Sequence, residues 1–305
     1  MPALQVPPGA QGILAMHELP DAEWESRWTR IVVPAAVKDR LLNQVLFSLG
    51  HRERIDPVRL PVHGLVVLSG PPGTGKTTLA GGLADQAARE LGDGSVVFVE
   101  IDPHAFPSQL LGESQRAVAR LFERTLPDLA RRGRPTIVLL DEVESLAMSR
   151  AGASLETNPV DVHRATEAVL AGVDHVARSC RNVTFVATTN HAAGVDAAFL
   201  SRADLVEELG LPGVEAVRLI LRDTLGELVP VDRLDGAALD DLAIECVTAA
   251  MDARQVRKLV LRAIASRREL ALAPDRIRVD DVAAALRAET GTVAADVPRA
   301  AAGRG

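Results

Sequence analysis

The sequence of 305 residues contains few aromatic side chains and no tyrosine. Aromatic residues make up 3% of the chain, so its apolar core has to be built mainly from Ala, Val, Leu and Ile. Proteins that hold single-stranded nucleic acid commonly stack its bases on aromatic rings, and a formal net charge of −7 supplies no overall basic surface. Both observations speak against a nucleic-acid partner.

Cysteine is scarce as well, and so are long apolar runs. Cys180 and Cys246 are too few and too far apart to indicate a disulfide framework or a metal cluster. No apolar run reaches the roughly 18 residues of a membrane span, and residues 1–20 lack the basic start and apolar stretch of a signal peptide. We therefore expect a cytoplasmic protein that does not contact a membrane.

The remaining composition is that of an ordinary folded protein, with 47% hydrophobic and 25% charged residues. The length suits one large and one small domain. Residues 1–20 are rich in Pro, Gly and Ala without a sustained period, and we interpret them as a flexible N-terminal segment. Residues 291–305 have the composition of a disordered tail.

Between these ends, the sequence changes character near residue 212. Before it, short apolar runs alternate with amphipathic segments, which predicts a parallel sheet between two layers of helices. The expected strands are 65–68, 96–101, 136–140, 183–188 and 205–209. The expected helices of the second part are 214–228, 239–250, 253–268 and 279–287. We thus predict an α/β large domain over residues 21–212 and a small all-helical domain over residues 213–290.

The first motif is GPPGTGKT, which lies between an expected strand and an Ala-rich helix. Its glycines permit backbone angles that turn successive N–H groups toward an anion, and the helix N-terminus adds positive potential. Lys76 is one of only three lysines in the chain, and it would contact the β- and γ-phosphates while Thr77 ligates Mg²⁺. The predicted ATP-binding residues of this Walker A loop are Gly70, Pro71, Pro72, Gly73, Thr74, Gly75, Lys76, Thr77 and Thr78.

Two further strands end in polar side chains. Asp141 and Glu142 follow the apolar run 136–140, as in a Walker B motif, where Asp141 would hold Mg²⁺ through water and Glu142 would polarise the attacking water. Asn190 follows the next strand and could position that water. Alone, each could be a solvated strand end or a turn residue. The order of the three motifs is what favours a catalytic site.

With these motifs in sequence, the chain resembles the AAA+ ATPases over roughly residues 20–290. The resemblance implies a P-loop large domain with a C-terminal lid domain. It places Arg202, in FLSRADL, as the arginine finger that acts on a neighbouring subunit's γ-phosphate. It also places Arg254, in MDARQVRKL, as the sensor arginine of the lid.

A closer likeness is to the pachytene checkpoint branch of these ATPases. It is carried by four segments, which are LLDEVESLAMSR from residue 139, NPVDVHRATEAVLAGVD from residue 158, AAFLSRADL from residue 197 and ARQVRKL from residue 253. Members of this branch form homo-hexameric rings that pull a segment of a HORMA-domain protein through a central pore. The bacterial members are associated with antiphage cyclic-nucleotide signalling, which they keep silent by disassembling an activating HORMA complex.

The resemblance also implies which residues line the pore. Leu110 and Leu111 stand where the first pore loop usually has an aromatic residue, and His163 and Arg164 fall at the base of the second. Aliphatic side chains can grip a polypeptide by burying apolar area, although less firmly than a flat ring.

Two other functions are compatible with the same motifs. A clamp loader or helicase loader would be stimulated by DNA, for which charge and aromatic content give little support. A nucleotide-gated scaffold would assemble with ATP and barely hydrolyse it, which the presence of Glu142, Asn190 and Arg202 argues against.

Overall fold

The computed structural model describes residues 4–7, 10, 12–92, 95–102, 113–147 and 159–295, without the side chains of 113–114, 159–165 and 290–295. The chain forms two compact units, residues 1–209 and 210–305. From sequence, the boundary was expected near residue 212. None of the described helices combines the length and the apolarity needed to cross a bilayer.

The first unit is built on one six-stranded sheet with the order β1-β3-β4-β5-β2-β6. The strands are β1 (Ile13–Leu19), β2 (Leu65–Ser69), β3 (Val96–Ile101), β4 (Thr136–Leu140), β5 (Val183–Thr189) and β6 (Leu205–Glu208). All neighbouring pairs are parallel except β1 and β3. The α/β fold expected from the sequence is confirmed.

Strand β1 corrects the expectation that residues 1–20 are a flexible lead-in. Ile13–Leu19 pairs antiparallel with β3 at the edge of the sheet, and Met16 and Leu19 are 2% and 0% exposed. The His17 ring contacts the rings of Trp24 and Phe98, and its Nε2 is hydrogen-bonded to Oε1 of Glu100. The strand was missed because its partner is some 80 residues away and its Gly- and Pro-rich surroundings suggested a loop.

Helices cover both faces of the sheet. They are α1 (Ala22–Arg30), α2 (Ala35–His51), α3 (Lys76–Leu91), α4 (Glu113–Arg120), α5 (Leu126–Ala130), α6 (Pro159–Ser179) and α7 (Ala197–Leu200). A π-helical turn, Leu121–Thr125, joins α4 to α5. Leu65 and Val67 of β2 enter the core cluster on one face, and Val66 and Leu68 enter the cluster on the other. This alternation follows from the two-residue period of a strand and produces a three-layer domain.

Two glycines allow α1 to lie directly on α3. A Cβ at Gly81 would stand 2.2 Å from Cζ3 of Trp24, and one at Gly82 would stand 2.7 Å from the backbone nitrogen of Trp28. The helix that follows the phosphate loop is therefore fixed on its outer side by α1 as well as on its inner side by the sheet.

The second unit is helical throughout its described part. It contains α8 (Val214–Gly226), α9 (Gly236–Thr248), α10 (Ala253–Ala265), α11 (Arg268–Leu272) and α12 (Val279–Ala295). Asp235 and Asp252 cap α9 and α10 through their carboxylates. Helix α12 continues to Ala295, so residues 291–295 are helical where a disordered tail was expected. Burial raises the pKa of the Cys246 thiol to about 11, as expected for a core residue.

Candidate functional site

The order of the strands brings the three sequence motifs to one edge of the sheet. Strand β5 lies between β2 and β4, parallel to both, so the ends of all three point in the same direction. The phosphate loop follows β2, Asp141 follows β4 and Asn190 follows β5. Ligands of open α/β sheets bind outside such carboxyl ends.

The backbone of the phosphate loop depends on glycine. Gly75 has φ 90°, and a Cβ there would meet Cδ1 of Ile31 at 2.3 Å. Gly70 has φ 148°, and a Cβ there would meet the carbonyl oxygen of Leu209 at 2.1 Å. Side chains at these positions would combine backbone strain with steric overlap. The loop has the backbone shape of a cradle for an anion.

Lys76 begins α3 and is only 6% exposed. Its ammonium donates hydrogen bonds of 2.8 Å to the carbonyl oxygens of Gly70 and Pro71, and the hydroxyl of Thr74 also donates to Pro71. The lysine ammonium, the N–H groups of the glycine-rich loop and the helix N-terminus together are donors that suit phosphate oxygens.

Oxygen ligands suitable for Mg²⁺ converge beside the loop. The Thr77 hydroxyl donates to Oδ1 of Asp141 at 2.9 Å, although the two residues are 64 positions apart. Hydroxyl and carboxylate oxygens are the ligand type that Mg²⁺ prefers, and it usually binds through one or two carboxylates together with substrate phosphates. The residues present therefore fit a nucleotide-bound Mg²⁺.

Thr188 connects the two acids of the β4 end, and the sequence reasoning did not single it out. Its hydroxyl donates to Oδ1 of Asp141 and accepts the backbone N–H of Glu142 at 3.0 Å. Thr188 is 1% exposed. Thr188 is one of three threonines in β5, and the sequence does not say which neighbour its hydroxyl contacts.

Glu142 and Asn190 lie in contact. The Asn190 side-chain amide donates to Oε1 of Glu142 at 3.3 Å. Glu142 has φ 50°, a left-handed conformation that costs a non-glycine residue about 1–3 kcal/mol. Glu144, which the sequence reasoning also missed, accepts the backbone N–H of Asn190 at 3.1 Å through Oε1. The two strand ends are thus tied together.

Arg202 makes its described hydrogen bonds with residues outside this cluster. Its Nε and Nη2 donate to the two carboxylate oxygens of Asp174 at 2.8 and 2.9 Å, and its Nη1 donates to the carbonyl oxygen of Ala198 at 2.6 Å. The hydrogen bond with Arg202 lowers the pKa of Asp174 below its usual range, and the same contact raises the pKa of Arg202. Within the described residues, the guanidinium makes no hydrogen bond to the phosphate loop or to Glu142.

The remaining predicted residues lie in the second unit or in parts of the chain whose side chains are outside the description. Arg254 belongs to the second unit, where it is exposed and its backbone N–H donates to the Asp252 cap at 2.7 Å. Leu110 and Leu111 lie outside the described residues. His163 and Arg164 fall on α6, in the part whose side chains are outside the description.

The fold and the site define a AAA ATPase. Residues 66–211 match the family model described as "ATPase family associated with various cellular activities (AAA)". The matched range includes the phosphate loop, both polar strand ends and Arg202. The predicted ATPase class is confirmed.

Comparison with known proteins gives the narrower family. The chain is 43% identical over 282 residues to CD-NTase-associated protein 6 of Pseudomonas aeruginosa, covering 91% of this chain and 92% of that protein. It is 33% identical over 214 residues to the pachytene checkpoint protein 2 homolog of Danio rerio, covering 69% and 50%. The chain therefore belongs to the family of AAA ATPases that includes these proteins, as its motifs predicted.

A solved structure shares the fold. A chain from the structure of the E. coli MS115-1 HORMA:CdnC:Trip13 complex matches with a TM-score of 0.75 at 22% identity, covering 92% of this chain and 97% of the other. Each of the two units therefore has a fold that is also found in a chain of that complex.

Proposed function

We propose that this ATPase partially unfolds a HORMA-domain protein and so disassembles its complex. The chemistry is supported by one observation, a hydrogen-bonded cluster beside the phosphate loop that consists of Thr77, Asp141, Thr188, Glu142 and Asn190. The substrate class is supported by the family. One relative is named for its association with a CD-NTase, and the matching solved structure is a complex of HORMA, CdnC and Trip13.

ATP is held with its phosphates in the loop after β2. The residues that contact them are those of the loop and the first turn of α3, namely Gly70, Pro71, Pro72, Gly73, Thr74, Gly75, Lys76, Thr77 and Thr78. The loop N–H groups and the helix N-terminus stabilise negative charge, and the Lys76 ammonium exchanges carbonyl oxygens for phosphate oxygens. Thr77 and Asp141 would hold Mg²⁺, Asp141 through water, and the ion would supply neutralisation of the charge on the phosphates.

Hydrolysis uses the two strand ends. Glu142 accepts a proton from the attacking water. The Asn190 amide orients the Glu142 carboxylate through their hydrogen bond of 3.3 Å, and it also orients the water. The N–H of Glu142 is fixed by Thr188, so the carboxylate projects from a backbone that its neighbours hold in place. A strained residue that its surroundings fix in this way is typical of catalytic sites.

The active site is completed between subunits of a homo-hexamer. Arg202 acts on the γ-phosphate in the neighbouring subunit and Arg254 responds to the nucleotide state. The hydrogen bonds of the Arg202 guanidinium support action on another chain, since within the described residues they go to Asp174 and Ala198 and none goes to its own Glu142.

Force reaches the substrate through the central pore, with Leu110, Leu111, His163 and Arg164 as its contacts. Pulling opens the HORMA-domain protein and releases its bound peptide. In the cytoplasm of a bacterium this action keeps an antiphage cyclic-nucleotide system inactive, so the chain is a negative regulator. The similarity to a CD-NTase-associated protein supports this setting.

The catalytic assignment is tested with Glu142→Gln, which keeps the size of the side chain and removes its basicity. We expect ATP hydrolysis to fall by about 10²–10⁴-fold while ATP binding persists, because general-base catalysis contributes a factor of that order. Glu53, an exposed acid far from the cluster in sequence, provides the matched control as Glu53→Gln. Normal turnover in Glu142→Gln would exclude Glu142 as the base.

A further inference from the structure

We infer that Asp174 is a positioning residue for the arginine finger. It holds the Arg202 guanidinium in the orientation in which that group reaches the nucleotide of a neighbouring subunit. The inference rests on the proposed action of Arg202 between subunits and adds a residue from α6 to it. Asp174 has no assigned role in the sequence motifs.

The geometry of the pair fixes the direction of the guanidinium. Two parallel hydrogen bonds, Nε to Oδ1 at 2.8 Å and Nη2 to Oδ2 at 2.9 Å, form a bidentate fork. A single hydrogen bond would leave the planar group free to rotate about it, whereas two fix its plane. The third contact, from Nη1 to the Ala198 carbonyl oxygen, holds the group against the end of α7.

The pair leaves part of the guanidinium available for a phosphate. Arginine has five N–H groups, and the contacts with Asp174 and Ala198 engage one on each of its three nitrogens. One N–H on each Nη is left over within the described part of the chain, and those two can donate to phosphate oxygens. Arg202 and Asp174 are both 24% exposed, so the pair is partly open to a partner.

Both elements that carry the pair are fixed to the core. On α6, Val173 and Val176 beside Asp174 are fully buried. On α7, Phe199 is fully buried, and Asp196 caps the helix while its own N–H donates to Ala147. An aspartate on a rigid helix can therefore restrict the long, flexible arginine side chain, and the rate depends on that placement.

The first test is steady-state ATP hydrolysis by Asp174→Asn in the full chain. We expect kcat to fall about 10- to 100-fold, by analogy with the loss caused by removing residues that orient metal ligands, with little change in KM because the phosphate loop is untouched. Asp174→Glu should recover part of the activity. Glu167→Gln removes another, exposed acid from the same helix and should behave as wild type. A wild-type kcat for Asp174→Asn would overturn the inference.

A double variant separates positioning from a general structural role. If Asp174 acts through Arg202, Asp174→Asn should cause no further loss of kcat in an Arg202→Ala background. If the pair merely joins α7 to α6, the two losses of kcat should combine, and the melting temperature of Asp174→Asn should fall by clearly more than about 4 °C. That second pattern would contradict the inference.

Mixed rings test the inference and the proposed function separately. Lys76→Ala subunits should be unable to hydrolyse ATP but retain Arg202 and Asp174. Co-assembled with Asp174→Asn subunits, they should supply an oriented finger and restore hydrolysis, as they should with Arg202→Ala subunits. If neither mixture regains activity, Arg202 does not act between subunits. If only the Arg202→Ala mixture regains it, the Asp174 inference is wrong and the finger assignment stands.

Discussion

The phosphate loop and the Asp174–Arg202 pair are both proposed to act on phosphate, but they are built in different ways. The loop is contiguous, and its shape follows from glycines and one lysine within eight positions of sequence. The pair joins side chains 28 positions apart, one from α6 and one following α7. A contiguous loop can be identified from the sequence alone, whereas a pair of side chains far apart in sequence is recognised only once the fold is known.

The largest effect should come from removing the finger. Arg202→Ala should lower kcat about 10³-fold or more, since arginine fingers contribute 10³–10⁵ to phosphoryl transfer, and it should leave ATP affinity in the isolated subunit unchanged. Steady-state hydrolysis and nucleotide titration measure the two quantities. A loss of affinity comparable to the loss of kcat would place Arg202 in its own subunit's site instead.

A smaller loss is expected at Thr188, which joins the two acids. Thr188→Val removes the hydroxyl that contacts Asp141 and leaves the Glu142 N–H without its acceptor. We expect a 10- to 100-fold fall in kcat and a higher Mg²⁺ requirement, measured by Mg²⁺ titration.

Thr184→Val is the matched control for Thr188→Val. Thr184 is also fully buried on β5, but its hydroxyl bonds to Ser48. Its loss should lower the free energy of unfolding by about 1 kcal/mol without changing the Mg²⁺ requirement. Equal Mg²⁺ dependence in both variants would show that Thr188 serves stability alone.

Alanine substitutions at two glycines separate the cost of steric overlap in the phosphate loop from the cost of backbone strain. Gly75→Ala meets Ile31 and is strained at φ 90°, whereas Gly92→Ala at φ 67° has open space around its Cβ. Gly92→Ala should cost about 1–2 kcal/mol of unfolding free energy from the backbone alone, because an L residue is disfavoured in the left-handed conformation. Gly75→Ala should cost more and also weaken ATP binding, as thermal melts with and without nucleotide would show. Equal costs would mean that Ile31 moves away freely.

The smallest effect concerns the contribution of Asp174 to stability. Because pairing lowers its pKa in the folded state below the ordinary 3.8, the contribution is present above that value and is lost as pH falls through the folded-state pKa. Asp174→Asn should therefore lower the free energy of unfolding at pH 7 by at most about 1 kcal/mol. The difference from wild type should shrink below pH 3.8, and a constant difference down to pH 2 would contradict this.

Much of the fold could be predicted because its signals are local. The bounds of β3 and β4 agree with the expected runs 96–101 and 136–140, where continuous apolar residues mark buried parallel strands. Strand β1 was missed because its pairing with β3 is long-range, and the last turns of α12 were missed because the Ala-rich end resembles a tail.

The residues of the candidate site likewise fall into two groups, those with a local sequence signal and those that matter through long-range contacts. Lys76, Asp141, Glu142 and Asn190 could be named as candidates from the sequence because each ends or follows a recognisable run. Thr188, Glu144 and Asp174 were not, because their importance lies in contacts with residues 28 to 47 positions away along the chain, among them Thr188 to Asp141 and Asp174 to Arg202. Arg202 itself was named through the family resemblance.

The most direct test of the proposed remodelling is release of a fluorescent partner peptide from a HORMA-domain protein of the same genome. Wild-type protein with ATP and Mg²⁺ should release the peptide, and the HORMA complex should raise the rate of ATP hydrolysis. Glu142→Gln should bind the complex and release nothing. Equal release by Glu142→Gln, or stimulation of hydrolysis by DNA and not by the HORMA complex, would contradict the account.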